Sequence, residues 1–179
     1  MGRLLPFLIV LLLAAVLAVG LLNKQDDGAI DTRRNGQELA SFSVPMLHNN
    51  QELFAPEIFA KKVVLINVFA SWCEACMAEH EALLKLAATD SLNLYGLAWK
   101  DTPENIEKYL AQRGNPFKAV WVDTLGKTTI PLALTGVPET FILDRNGKIA
   151  FHYKTALTDE VIQKTILPLV EKLKNADGN

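Results

Sequence analysis

Val63-Val64-Leu65-Ile66-Asn67-Val68-Phe69-Ala70-Ser71-Trp72-Cys73-Glu74-Ala75-Cys76 runs from an almost unbroken apolar, β-branched-rich segment straight into two closely spaced cysteines. A run of this kind, lacking period-two alternation, is what a central strand buried on both faces requires. From Cys76 to Ala88 the spacing turns helical, with Met77, Leu83, Leu84, Leu86 and Ala87 apolar among charged residues. The stretch predicts a strand, a short turn and a helix, with the cysteines at the helix start.

Downstream, residues 92–99 read as the next strand. Asp101-Thr102-Pro103-Glu104 is a strong helix start: Thr102 caps, Pro103 fits the first turn and Glu104 complements the helix dipole. That helix closes near Arg113-Gly114, where glycine can take the left-handed end position. Residues 119–122 and 139–143 are short strands, and Arg145-Asn146-Gly147 turns the second into a strand over 149–153. A last amphipathic helix starts around Thr158, with Asp159 and Glu160 in its first turn, and runs to about Lys174. The order β-α-β-α-β-β-α predicts an α/β domain with a mixed central sheet and helices on both faces.

Upstream, residues 4–22 are almost wholly apolar, interrupted only by Pro6 and Gly20. The run approaches the ~20 residues with which a helix crosses a bilayer. Arg3 precedes it, which favours a single transmembrane helix with its amino end in the cytoplasm. A cleaved signal peptide is the competing reading, with Ala18-Val19-Gly20 as small residues for a peptidase, but the run exceeds the usual ~7–15 residues. Both readings export the remainder of the chain. Residues 23–40 are polar and charged and read as a linker, leaving 41–179 as one domain.

Half of the 179 residues are hydrophobic, so a packed core is within reach. A net charge of −2 with scattered Lys and Arg gives no reason to expect nucleic acid as a partner. Two cysteines are too few for a disulfide-stapled fold or a four-ligand zinc site. His48, His80 and His152 show no ligand spacing, so neither metal nor cofactor is expected. Reversible thiol chemistry in an exported domain fits the pair better.

A cysteine where a strand ends and a helix begins meets unpaired backbone N–H groups and the positive end of the helix dipole. Both favour a thiolate, which at such Cys-X-X-Cys sites lowers the pKa from ~8.5 to ~7 or below. Cys73 is expected to be the exposed nucleophile, Cys76 the more buried resolving thiol, and Trp72 a flat apolar cover. Gly136-Val137-Pro138-Glu139-Thr140 reads as a turn into a strand, with proline at the strand start because it cannot donate to a ladder.

With these motifs the sequence resembles the thioredoxin superfamily, and within it the CcmG/DsbE family of cytochrome c biogenesis proteins, over residues 41–174. Trp72-Cys73-Glu74-Ala75-Cys76 is similar to the active site, and Gly136-Val137-Pro138-Glu139-Thr140-Phe141 to the cis-proline loop in its CcmG form. Glu79-His80, Trp99-Lys100-Asp101 and Arg113-Gly114-Asn115-Pro116-Phe117 resemble further family stretches. The resemblance implies a cis Val137–Pro138 bond facing the cysteines and a periplasmic catalytic domain on the bacterial inner membrane. It implies a reductant for the disulfide of apocytochrome c or of an intermediary thiol protein, recharged by a DsbD/CcdA-type membrane donor.

Three departures stand out. Glu74 replaces the proline usual after the first cysteine, and a carboxylate there raises the cost of the neighbouring thiolate. Asn67 occupies the place of the buried acid of ordinary thioredoxins, and the resemblance makes Glu79 and Glu139 the substitutes for proton handling. A glycine common after Tyr153 is missing. His80, Phe69, Trp99 and Trp121 read as packing residues. Other classes are a general TlpA/ResA-like exported reductase, a peroxiredoxin-type peroxidase without its Thr-x-x-Cys surround, and a copper or haem chaperone using the two thiolates.

Overall fold

A computed structural model describes residues 5–22, 30–49, 53–54, 59, 61–89 and 92–176. Strand β3, Val64–Phe69, is the centre of a five-stranded sheet ordered β5-β4-β3-β6-β7. Its neighbours are β4, Asn93–Trp99, in parallel and β6, Glu139–Leu143, antiparallel. At the edges, β5, Val120–Asp123, runs parallel to β4, and β7, Ile149–Tyr153, antiparallel to β6. All six residues of β3 are buried, which explains its lack of alternation.

Side chains of β3 alternate between two hydrophobic clusters. Leu65 and Phe69 enter one, which also holds Cys73 and Cys76, while Val64, Ile66 and Val68 enter the other. Three helical segments pack on the cysteine face. Helix α2, Glu74–Ala88, contributes Leu83 and Leu86; α3, Pro103–Arg113, contributes Ile106, Tyr109 and Leu110. The carboxy-terminal helix contributes Ile162, Ile166 and Val170. The far face is covered by Leu39, Phe42, Val44, Phe59, Leu132 and Leu134.

Among the described residues the domain's α-helices all lie on the cysteine face, which corrects the expectation of helices on both faces. The crossovers β3-α2-β4 and β4-α3-β5 step the same way across the sheet, and parallel crossovers are right-handed, so both helices fall on one side. The return from β5 to β6 covers the other side as successive hydrogen-bonded turns between Gly126 and Leu134.

Helix ends follow the local chemistry. Thr102 accepts a hydrogen bond from Asn105 N at 3.3 Å, and α3 stops at Gly114 with φ of 89°. The last helix does start at a Thr158 cap, but it divides into α4, Asp159–Val161, a π turn over Ile162–Ile166, and α5, Leu167–Asn175. Pro168 has no N–H, and its ring would collide with the carbonyl four residues back in a regular helix; the wider turn accommodates it.

A short antiparallel pair, β1, Phe42–Ser43, with β2, Leu53–Phe54, was not expected from the sequence. Residues 23–29 of the polar stretch lie outside the described residues. From Ile30 the chain is stitched to the domain, with bridges Ile30 to Tyr153 and Glu38 to Lys148. Helix α1, Leu5–Leu22, carries no charged residue. Its described side chains cover only 9–18, and among the described residues no helix is long and apolar enough to cross a membrane.

Candidate active site at the Cys73–Cys76 disulfide

Cys73 is the N-cap of α2, and its Sγ accepts the Cys76 N–H at 3.0 Å. The sulfur thus sits where unpaired amides and the helix dipole stabilise an anion. Cys73 and Cys76 are joined in a disulfide. Cys76 is 2 % exposed and Cys73 only 6 %, so the first cysteine is less open than expected. The loop before β6 covers it: Val137–Pro138 is cis, and Val137 O lies 3.7 Å from Cys73 Sγ.

Trp72 is 56 % exposed, and its Nε1 donates to Lys100 O at 3.1 Å. It is fastened to the loop after β4 and stands out as an apolar surface beside the pair. Asp101 holds the same turn, accepting from Ser71 N at 2.7 Å and from Thr102 N at 2.8 Å. That role was missed in the sequence, where Asp101 read as part of a helix start and of a stretch resembling the family. Glu74 is exposed at the first position of α2.

Glu79 lies one helical turn beyond Cys76, fully buried on the cysteine face. Its carboxyl accepts from Asn67 Nδ2 at 2.9 Å and from Leu157 N at 2.7 Å. Burial pushes its pKa up to about 7, against the opposing pull of those two hydrogen bonds. The position read as an acid in ordinary thioredoxins is here an amide that touches the acid on the helix. His80, next in sequence, pins α2 to α3: its ring nitrogens meet Gly114 O and the Tyr109 hydroxyl, each at 3.0 Å. Burial lowers its pKa.

Glu139 does not share that environment. Thr140 points to the cysteine face, where Asn67 Nδ2 also donates to its Oγ1 at 3.1 Å. As its neighbour in a strand, Glu139 points to the opposite face. There Oε1 accepts from Thr135 N at 2.6 Å, Thr135 Oγ1 at 2.7 Å and Gly136 N at 3.0 Å, while Oε2 meets His152 Nε2 at 2.6 Å. Burial raises the pKa of this carboxyl, but the bonds from His152 and Thr135 outweigh it and leave it below the ordinary value. The expectation that Glu79 and Glu139 both handle protons at the sulfurs is corrected: Glu139 braces the cis-proline loop from behind. Among the described residues no group of His, Cys, Asp and Glu is arranged to hold a metal ion.

A redoxin family model matches residues 34–166, spanning the sheet and the cysteine pair. The chain is 35 % identical over 175 residues to the thiol:disulfide interchange protein DsbE of Pasteurella multocida, covering 94 % of each. It belongs to the DsbE family of thiol:disulfide interchange proteins. The interchange protein HelX of Rhodobacter capsulatus is 32 % identical, with 95 % of this chain and 97 % of that protein covered. A crystal structure of a secreted thiol-disulfide isomerase from Corynebacterium glutamicum shares the fold, with a TM-score of 0.65 at 20 % identity, covering 82 % of this chain and 95 % of that one. This DsbE-family protein is a protein-disulfide oxidoreductase with a thioredoxin-like α/β fold.

Proposed function

We propose that this DsbE-family chain is a membrane-tethered reductant that works through Cys73 as attacking thiolate and Cys76 as resolving thiol. The observation that carries the reading is the disulfide at the start of α2 beneath the cis Val137–Pro138 loop. In the dithiol form, the Cys73 thiolate attacks a client disulfide. The client S–S bond breaks, one client sulfur bonds to Cys73, and the other leaves as a thiolate and takes a proton. Cys76 then loses its proton and attacks Cys73 Sγ, which releases the second client sulfur and forms the Cys73–Cys76 bond. Two electrons pass to the client. Glu79, titrating near neutrality one turn from Cys76, accepts the Cys76 proton. A surface cavity of about 270 Å³ is lined by Glu79, Lys85 and Asp159, on the solvent side of that buried carboxyl.

Val137 and Pro138 supply an extended backbone against which a client peptide lies, and Trp72 offers an apolar shoulder. The apolar α1 sequence anchors the chain in the bacterial inner membrane as a single pass, the polar stretch that follows runs into the lead-in docked on β7 from Ile30, and the domain works in the periplasm. The client is apocytochrome c or an intermediary thiol protein in c-type cytochrome biogenesis, and a DsbD/CcdA-type membrane protein restores the dithiol. Family resemblance supports these assignments.

The test is Cys76→Ala, which stops the reaction at the mixed disulfide. The variant should retain its client on Cys73 through non-reducing electrophoresis, and loss of the gene should remove c-type cytochromes while other disulfide proteins stay normal. Capture of many unrelated proteins with cytochromes intact would mark a general exported reductase instead.

A further inference from the structure

The loop that presses on Cys73 is held from the far face of the sheet by a chain of buried polar groups. Among the described residues, three of the four hydrogen bonds to Glu139 come from that loop, at Thr135 and Gly136; the fourth comes from His152 on β7. His152 is wholly buried, and its ring stacks on Phe141 with centroids 4.0 Å apart. Glu139 is an ionised acceptor, so His152 Nε2 carries the proton in their contact. On the other side of the ring, Nδ1 has no hydrogen-bond partner among the described residues and faces Asp31 Oδ2 at 3.9 Å. Asp31 is fixed in turn: its N donates to His152 O at 2.8 Å, and its carboxylate binds Lys154 Nζ at 2.8 Å and Arg33 Nη2 at 2.6 Å.

We propose that His152 is a positioning residue for disulfide exchange, holding Glu139 in place beneath Thr135 and Gly136 so that Val137 keeps its station against Cys73. The proposal rests on reading the 135–138 loop as the seat of the client. Without the imidazole, Glu139 Oε2 is left buried and unpaired. The carboxyl then turns or takes up a proton, and the loop loses part of its anchorage. The segment that enters the domain completes the device. Asp31 lies behind the ring and ties the lead-in to the same β7 residue, so the charged groups facing His152 are Glu139 from β6 and Asp31 from the lead-in, the latter neutralised by Arg33 and Lys154.

The experiment uses the full chain, reduced and in detergent, in single-turnover reaction with two probes. One is a synthetic peptide bearing a Cys-Ala-Ala-Cys disulfide, which lies along the loop; the other is hydroxyethyl disulfide, too small to need it. His152→Ala should raise the half-saturating peptide concentration about tenfold, the scale of one lost charge-assisted hydrogen bond, with the small-disulfide rate within about twofold of wild type. His152→Gln, whose amide can donate to Glu139, should restore the peptide value to within about twofold. Unchanged peptide saturation in His152→Ala, equal losses on both probes, or a Gln variant no better than Ala would each overturn the proposal. Should His152→Ala fail to fold, Thr135→Val removes a donor to Glu139 from the loop side. It should raise peptide half-saturation a few-fold and spare the small probe, and no change there overturns the proposal equally. Cys73→Ser must abolish turnover of both probes; activity in that variant overturns the sulfur assignment itself, a separate outcome from any result at His152.

Discussion

Replacing Glu79 by Gln removes one ionisable group from the cysteine face and leaves its shape and one acceptor in place. Glu79 titrates at about 7 in the folded protein against an ordinary 4.5, because burial penalises its anion. The folded chain therefore holds that proton more tightly than the unfolded chain does. The contribution to stability is full below the ordinary value, declines as pH rises from about 4.5 to about 7, and stays lost above. The gap corresponds to about 3 kcal/mol, at ~1.36 kcal/mol for each tenfold change in proton affinity. Glu79→Gln mimics the neutral acid. It should match wild type near pH 4 and exceed it by about 3 kcal/mol near pH 8.5. Its amide oxygen still accepts the Leu157 N–H, and its NH₂ meets Asn67, whose buried Oδ1 has no hydrogen-bond partner among the described residues. Rotation of the Asn67 amide pairs the two. Urea unfolding of the oxidised protein across the pH range measures the difference. Parallel stability curves for the two proteins would refute the buried-acid reasoning. The same variant should slow release of the mixed disulfide by about 10²-fold, the lower range for loss of a general base, while the first attack by Cys73 proceeds normally.

Glu74→Gln should make the reduction potential less negative by up to about 20 mV, since a carboxylate ~4 Å from a thiolate in water costs it about 1 kcal/mol. Equilibration with glutathione buffers reads this directly, and no shift, or one towards more negative values, sinks it. Gly96→Ala tests the packing under the sheet: the added Cβ would stand 2.9 Å from Phe69 Cε1 and 3.1 Å from the Phe117 ring, two rings stacked at 4.9 Å. A loss of about 1–3 kcal/mol in urea unfolding is expected, and a neutral substitution would show that the rings part freely.

The sequence by itself determined what depends on neighbours along the chain. The unbroken apolar run announced β3, Thr102 and Gly114 marked the ends of α3, and Cys73 at the start of α2 carried its chemistry in its position. Pro168 was also legible, and a closer reading of it would have divided the last helix. Sidedness was not legible in the same way. That α2 and α3 share a face follows from strand order and the hand of the crossovers, which no local pattern encodes. Period two tells that Glu139 and Thr140 diverge, but only the pairing of Asn67 with Thr140 on adjacent strands decides which of them shares the sulfurs' face. His152 and Asp31 looked like scattered polar residues, being far apart in sequence; the β7 ladder and the docked lead-in bring them together behind Glu139. The chemistry of single residues is set by short-range covalent neighbours and spacing. Tertiary structure alone decided their partnerships, because a buried carboxylate takes its character from whichever donors the sheet register places around it.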